Sequence, residues 1–387
     1  MRTGPSTAAP EARSVALVTS IAHSLPNFRG PLIAALAASG VRVFALAPDY
    51  DELTRERVRA LGAEPVDYSL ERAGMRPLRD LADGVRLWRL FRRLRPDAVL
   101  CYFAKPVIYG SLAAWFARVP RRIAMIEGLG YVFTQGEGSD GFKRRALRGA
   151  TRFLYRLALA TVARAVFVNR DDAAQFVRSR LVAERKIVNI GGIGVDLDAF
   201  SAAPPVVAPP TFLLLCRLLR EKGIREYAEA ARLVKARCPE ARFILAGSLD
   251  PNPGAMAREQ IEAWVAEGLL EWPGHIDDVR PWLRAASVYV LPSYREGVPR
   301  STQEAMAMAR PIVTTDSIGC RDTVEEGVNG FMVPARTVEP LAGAMMRFIE
   351  EPGLIESMGK ESRRLAEARF DVNRTNRLLM ELLLPSG

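Results

Sequence analysis

The chain is predicted to be an α/β protein carrying two open parallel sheets, and three observations lead there. Residues 287–334, SVYVLPSYREGVPRSTQEAMAMARPIVTTDSIGCRDTVEEGVNGFMVP, read as strand, loop, helix, strand, with β-rich runs at Val288 to Leu291 and Ile312 to Thr315. That grammar is the unit of a parallel sheet, whose ligands bind at the carboxyl ends of its strands. A length of 387 residues is too great for one comfortable core, so two domains are expected. The composition also breaks once, at SAAPPVVAPPT (201–211), where prolines favour extended chain over packed structure.

The first half opens with MRTGPSTAAPEARS, which lacks the apolar centre of a secretion signal. Strands are expected at Val15 to Thr19, Val41 to Ala47, Ala98 to Phe103, Arg122 to Ile126, Val162 to Asn169 and Lys186 to Ile190. PDYDE, after the second strand, reads as a turn. Phe28, Arg29 and Gly30 are placed where the first loop meets its helix, with Pro31 at a first helical position. The GxGxxG spacing of dinucleotide binders is absent there, which argues against a nicotinamide enzyme. Residues 71–95 suggest an amphipathic helix with an arginine-heavy solvent face. Lys105 follows a strand on the functional rim, and Glu127 opens a Gly-rich segment. From Gly141 to Arg170 no acidic residue occurs, and Arg144, Arg148, Arg152 and Arg156 recur every four residues as one helical stripe.

In the second half, Thr211 to Cys216 begins a new sheet, followed by Arg217 and Lys222, two cations able to neutralise a diphosphate. Phe243 to Ala246 and Leu269 to Trp272 read as further strands, a helix is expected near Asp277, and helices are expected at 338–350, 353–369 and 371–384. Glu296 lies in the loop after Val288–Leu291, and Glu304 stands at the start of the next helix. Gly297, Ser301 and Thr302 between them suit a close approach and a helix start that presents N–H groups to phosphate. The structural alternative makes Ser301 a cap and Glu304 the glutamate of a capping box.

An apolar content of 49% with 25% charged residues describes a folded globular chain. Four cysteines without metal-ligand spacing suit buried thiols in a reducing compartment, and two histidines argue against a zinc site. No apolar run is long enough to span a bilayer. The net charge of +10 calls for an anionic partner, or reflects arginine usage alone. Zinc-finger, arginine/glycine-repeat and recognition-helix signatures are missing, so nucleic acid is not the expected partner.

Glu296, seven residues and Glu304, within PSYREGVPRSTQEAMAMARPIV and followed by GCRDTV and NGFMVP, resemble the sugar-nucleotide site of the retaining GT-B glycosyltransferases of family 4. Within that family the likeness is to bacterial transferases building lipid-linked polysaccharide or O-antigen. It covers nearly the whole chain, most strongly Thr211 to Pro334. The resemblance implies two Rossmann-like domains facing across a cleft: an acceptor domain at 14–200, a linker at 201–210, a nucleotide-sugar domain at 211–365, and a helical segment at 366–384 returning to the first domain. It assigns Arg217 and Lys222 to the leaving diphosphate, Glu296 to the transferred sugar and Glu304 to the ribose, with Arg217, Lys222 and Glu296 as the catalytic set. Gly30, Gly297, Ser301 and Thr302 complete the implied donor contacts.

Family members often carry histidine or aspartate near position 127. Glu127 departs from that, which leaves sugar contact and a simple strand-end turn both open. The implied reaction needs no metal and no cofactor beyond the donor, for which a UDP-linked hexose or N-acetylhexosamine is favoured. The implied partner is a lipid-diphosphate acceptor; the arginine stripe at 143–156 adds an anionic membrane surface as an expected partner, its alternative being an ordinary solvated helix face. The expected location is cytoplasmic, peripheral on the inner membrane. A soluble acceptor, or a non-enzymatic basic protein binding membrane or nucleic acid, are the alternatives.

Overall fold

The computed structural model describes residues 13–71, 77–128, 142–250, 252 and 254–384, with the side chains of 77–78 and 142–148 excepted. Two compact units emerge: Met1–Phe167 with Ala173–Asn189 and Asn376–Gly387, and Val168–Asp172 with Ile190–Thr375.

The first unit holds seven parallel strands, β1 (Ser14–Val18), β2 (Arg42–Ala47), β3 (Ala63–Asp67), β4 (Ala98–Tyr102), β5 (Arg121–Ile126), β6 (Arg164–Phe167) and β7 (Ile187–Asn189), in the order 3-2-1-4-5-6-7. Every residue of β1 and β4 is buried, as the continuous apolar runs of a sheet covered on both faces require. The chain order reverses between β1 and β4, the switch point of a Rossmann-like sheet. Between strands run α1 (Ser24–Ala38), α2 (Glu52–Ala60), α3 (Pro77–Leu94), α4 (Ser111–Phe116, preceded by a π-turn at Pro106–Gly110), α5 (Phe142–Thr161) and α6 (Arg170–Arg178).

Two readings of this half need correction. PDYDE does not merely turn: Asp51 caps α2, its carboxylate accepting the Thr54 N–H at 2.7 Å. The strand β3 was also not foreseen. Gly30 and Pro31 lie inside α1, not at its start, because the buried Leu25, Leu32 and Leu36 continue one helical face through them. Gly30 is buried there, with a side chain of Leu61 3.5 Å from where a Cβ would stand. Its donor-binding assignment therefore loses the helix-start geometry on which it was based.

The second unit repeats the plan with six parallel strands, β8 (Thr211–Leu215), β9 (Arg242–Ala246), β10 (Glu271–Gly274), β11 (Val288–Leu291), β12 (Ile312–Thr315) and β13 (Gly330–Val333), ordered 10-9-8-11-12-13. Its helices are α7 (Ile224–Lys235), α8 (Arg258–Ala266), α9 (Arg280–Ala285), α10 (Arg300–Ala307), α11 (Glu339–Glu350) and α12 (Gly353–Arg369); α13 (Val372–Leu383) follows. The proline-rich stretch is strapped to this unit. Arg310, fully buried, donates to the carbonyls of Ala286 (2.9 Å), Ala203 (2.5 Å) and Pro204 (3.1 Å). Burial pulls the Arg310 guanidinium down to about 10, and those carbonyls are what its charge has in exchange for water.

Candidate donor site

The β8/β11 switch point organises the second unit's functional edge. Leaving β8, the chain passes Arg217 and forms a single 3₁₀ turn at Arg220–Lys222, which Gly223 ends in the left-handed region at φ 71°. A Cβ on Gly223 would stand 2.1 Å from the Pro292 carbonyl oxygen, so glycine is what lets this turn press against the loop after β11. The Tyr294 N–H donates to the Glu221 carbonyl at 2.9 Å, and the Ser293 hydroxyl to the same carbonyl at 3.1 Å.

That contact brings Lys222 to Glu296. The ammonium donates to the Glu296 carboxylate, and both side chains are only 14% exposed. Burial opposes the Lys222 charge, yet the adjacent carboxylate outweighs it and raises the ammonium's pKa above the ordinary lysine value. Arg217, about half exposed, forms its own ion pair with Asp250 at 2.8 Å and lies near enough to Lys222 for the two cations to repel. The loop itself is pinned by the Glu296 N–H donating to the Ile318 carbonyl at 2.9 Å. On its other side Gly319, at φ 80°, would place a Cβ 2.3 Å from the Gly297 oxygen.

Helix α10 begins at Arg300 with Pro299 as its cap residue, and no side chain caps it. The capping-box alternative therefore fails. The Ser301 hydroxyl instead accepts from Tyr289 at 2.6 Å, and Glu304 lies on the fifth helical residue, bonded to Arg300 at 2.8 Å. Burial raises the Glu304 carboxyl above the ordinary glutamate value, and Arg300 offsets part of that rise. The Thr302 hydroxyl is buried and has no partner among the described residues. Lys222, Glu296 and Gly297 are thus joined to the edge that α10 enters, and Arg217 is held on the Asp250 side.

A second tier of contacts, not foreseen from the sequence, lies behind this loop. Asn169 Nδ2 donates to the Gly297 carbonyl at 2.7 Å and to Asp172 at 3.1 Å, while Arg295 pairs with Asp172. Both Asn169 and Asp172 are buried. In the first unit, Glu127 pairs with Arg29, whose buried guanidinium lies 4.8 Å from the Tyr102 ring centroid. Lys105 is likewise committed, to the buried Asp80 at 2.8 Å.

Two Rossmann-like parallel sheets, with a cation–carboxylate pair beside a helix entrance at a switch point, are the arrangement that the GT-B resemblance implies. The comparisons agree. Residues 209–351 match the model of glycosyl transferases group 1, and residues 29–191 that of the glycosyl transferase 4-like domain. The N,N'-diacetylbacillosaminyl-diphospho-undecaprenol alpha-1,3-N-acetylgalactosaminyltransferase of Campylobacter jejuni is 29% identical over 352 residues, covering 88% of this chain and 90% of that protein. The UDP-Gal:alpha-D-GlcNAc-diphosphoundecaprenol alpha-1,3-galactosyltransferase of Escherichia coli is 23% identical, covering 76% and 77%.

Among solved structures, sucrose-phosphate synthase from Thermosynechococcus elongatus superposes with a TM-score of 0.75 at 19% identity, covering 96% of this chain and 98% of that one. HepE of Anabaena, solved with UDP and glucose, gives 0.74 at 17%, covering 96% and 99%. The chain belongs to the family of group 1, family 4-like glycosyltransferases.

Proposed function

We propose that this glycosyltransferase moves a hexose or N-acetylhexosamine from a UDP-linked donor to a lipid-diphosphate-linked glycan, with retention of anomeric configuration. The partly buried Lys222–Glu296 pair at the β8/β11 edge is the observation that carries the reading. The relatives from Campylobacter and Escherichia, whose names specify undecaprenol-diphosphate acceptors, support the acceptor class.

In this scheme Glu304 accepts hydrogen bonds from the ribose, and Gly297, Ser301 and Thr302 line the donor. Glu296 contacts hydroxyls of the transferred sugar. The bond from the anomeric carbon to the phosphate oxygen breaks, and its electron pair stays on the diphosphate. Charge grows there as the bond lengthens, so Arg217 and Lys222 act more strongly on the transition state than on bound donor. The acceptor hydroxyl oxygen bonds to the same face of the anomeric carbon, and its proton passes to the leaving phosphate. The charge needed at the diphosphate comes from side chains in this account, so transfer is expected to survive chelation.

Membrane attachment belongs to the same proposal. Among the described side chains of α5, Arg152 and Arg156 are exposed beside Phe153 (61% exposed) and Leu157 (42%), a basic and apolar combination suited to an anionic lipid surface. The arginines at 144, 145 and 148 lie outside the described side chains. No described helix is long and apolar enough to cross a membrane. A cytoplasmic-face location follows from the acceptor class and from the resemblance.

The test is incubation of purified protein with a panel of nucleotide sugars and a short-chain polyprenyl-diphosphate glycan, with mass spectrometry of the lipid product and NMR of the new linkage. An α-linked product from an α-linked donor supports the reading. A β-linked product removes retention, and no product with any donor removes the reading.

A further inference from the structure

Arg300 is poorly placed to stabilise the helix it begins. It is the first residue of α10, where the positive end of the helix disfavours a cation, and the first turn carries no acidic residue to offset it. Its pairing with Glu304, four residues on, also runs in the weaker order, since a carboxylate ahead of a cation supports a helix better than the reverse. Yet the bond is made. Arg300 Nε donates to Glu304 Oε1 at 2.8 Å, with the two side chains 23% and 11% exposed. An arginine that its own helix disfavours points to a role toward its partner.

Glu304 has need of one. Enclosure favours the neutral acid, which offers an O–H where ribose hydroxyls require an acceptor. The elements packed against α10 are β11, β12 and α12, and their charged groups are otherwise engaged. Tyr289 of β11 gives its hydroxyl proton to Ser301, and β12 carries no titratable residue. Arg363 of α12 pairs with Glu367 and donates to the Ala307 carbonyl at the far end of α10. In the loop before the helix, Glu296 is held by Lys222. Among the described residues, Arg300 is the cation that acts on Glu304.

We propose that Arg300 is a positioning residue of the donor site: its guanidinium keeps the Glu304 carboxylate charged and fixes Oε1, so that Oε2 meets the ribose hydroxyls. This rests on the ribose role given to Glu304 above and adds what sustains that role. Arg300 itself need not touch the nucleotide.

The experiment titrates UDP calorimetrically, from mildly acidic to mildly alkaline pH, into wild type, Arg300→Gln, Arg300→Lys and Glu304→Gln. Burial already holds the Glu304 carboxyl above the ordinary glutamate value. Removing the guanidinium raises it further, so the acid limb of UDP affinity should move to higher pH in Arg300→Gln. Between the two limbs that variant should bind UDP about tenfold more weakly, the fold-change one charge-assisted bond carries. The gap should close on the alkaline side. Arg300→Lys keeps the charge and should restore most of the wild-type limb. A loss equal at every pH, or an acid limb left in place, overturns the proposal.

Glu304→Gln separates this proposal from the reading beneath it. If that variant binds UDP as wild type does at every pH, Glu304 has no ribose role and its donor assignment fails. Arg300 is then judged on the UDP-free protein, by the carboxyl carbon-13 resonance that Glu304→Gln lacks. A titration midpoint moved to higher pH in Arg300→Gln supports the charge-keeping role, and an unmoved one overturns it. Loss of the fold in both Arg300 variants would make the residue a structural one and overturn it too.

Discussion

Replacing Glu296 with Gln separates the two jobs of the Lys222–Glu296 pair. The substitution keeps side-chain volume and removes the charge that offsets the burial of Lys222, each partner being 14% exposed. Breaking a fully buried pair from one side costs about 3–5 kcal/mol, whereas an exposed pair is worth about 0–1. With residual exposure, about 2–3 kcal/mol is expected. For a unit of this size that corresponds to a fall of roughly 4–12 °C in its Tm.

The double variant Glu296→Gln, Lys222→Met removes both charges and should recover most of that loss, because no unpaired charge remains buried. Activity should not recover. Losing preorganised charge at the reacting centre costs about a hundredfold to a thousandfold in kcat. Calorimetry of the three variants, with initial rates at saturating donor, provides the assay. A Tm drop under 2 °C for the single variant, or a double variant less stable than either single one, would refute the reasoning. The pH dependence has a fixed sign. The folded pKa of Lys222 is raised, so its stabilisation is fully present below the ordinary lysine value and is lost as pH rises through the raised one. Glu296→Gln should flatten that alkaline limb.

Glu304→Gln should weaken UDP binding by about 1.5–3 kcal/mol in a calorimetric titration. In the wild type, affinity should fall as pH drops through a carboxyl pKa above the ordinary glutamate value, and the variant should lack that limb. Asp250→Asn frees Arg217 from a competing carboxylate, so UDP affinity should rise severalfold; Arg217→Ala should chiefly lower kcat, as steady-state kinetics would show. Asp172→Asn weakens the hold on Arg295 and on the loop of Glu296, so kcat should fall while UDP affinity stays within about twofold.

Buried, continuous signals in the sequence were the legible ones. Val288–Leu291 and Ile312–Thr315 stand where their β-rich runs predict: the first is apolar throughout, as a strand covered on both faces tends to be, and the second buries Thr314 and Thr315 with their hydroxyls donating to the Leu291 and Ser293 carbonyls. β3 was silent for the opposite reason: AEPVD is a polar edge strand that tolerates Pro65. Pro31 misled because proline favours helix starts, whereas here the leucine face of α1 carries it into the interior. Glu296, Lys222 and Glu304 were singled out by their places at strand ends and a helix start together with the family resemblance, but the partners of the loop could not be read. Asn169 is 128 residues from Gly297, and no local period records a contact of that range. Glu127 likewise has a distant partner, Arg29, that no local pattern announces.

Gly223 and Gly319 bear on how such an enzyme can acquire a new donor. At each, a Cβ would collide with backbone oxygen, not with a side chain that could swing aside. Both neighbours belong to the loop that carries Glu296. No variant library should therefore yield active clones at these two positions, whatever sugar is selected for. Specificity has to drift through side chains that face the ligand, while the scaffold behind them stays fixed. A saturation screen that recovered working alanine clones at Gly319 would show this loop to be more forgiving than its close contacts require.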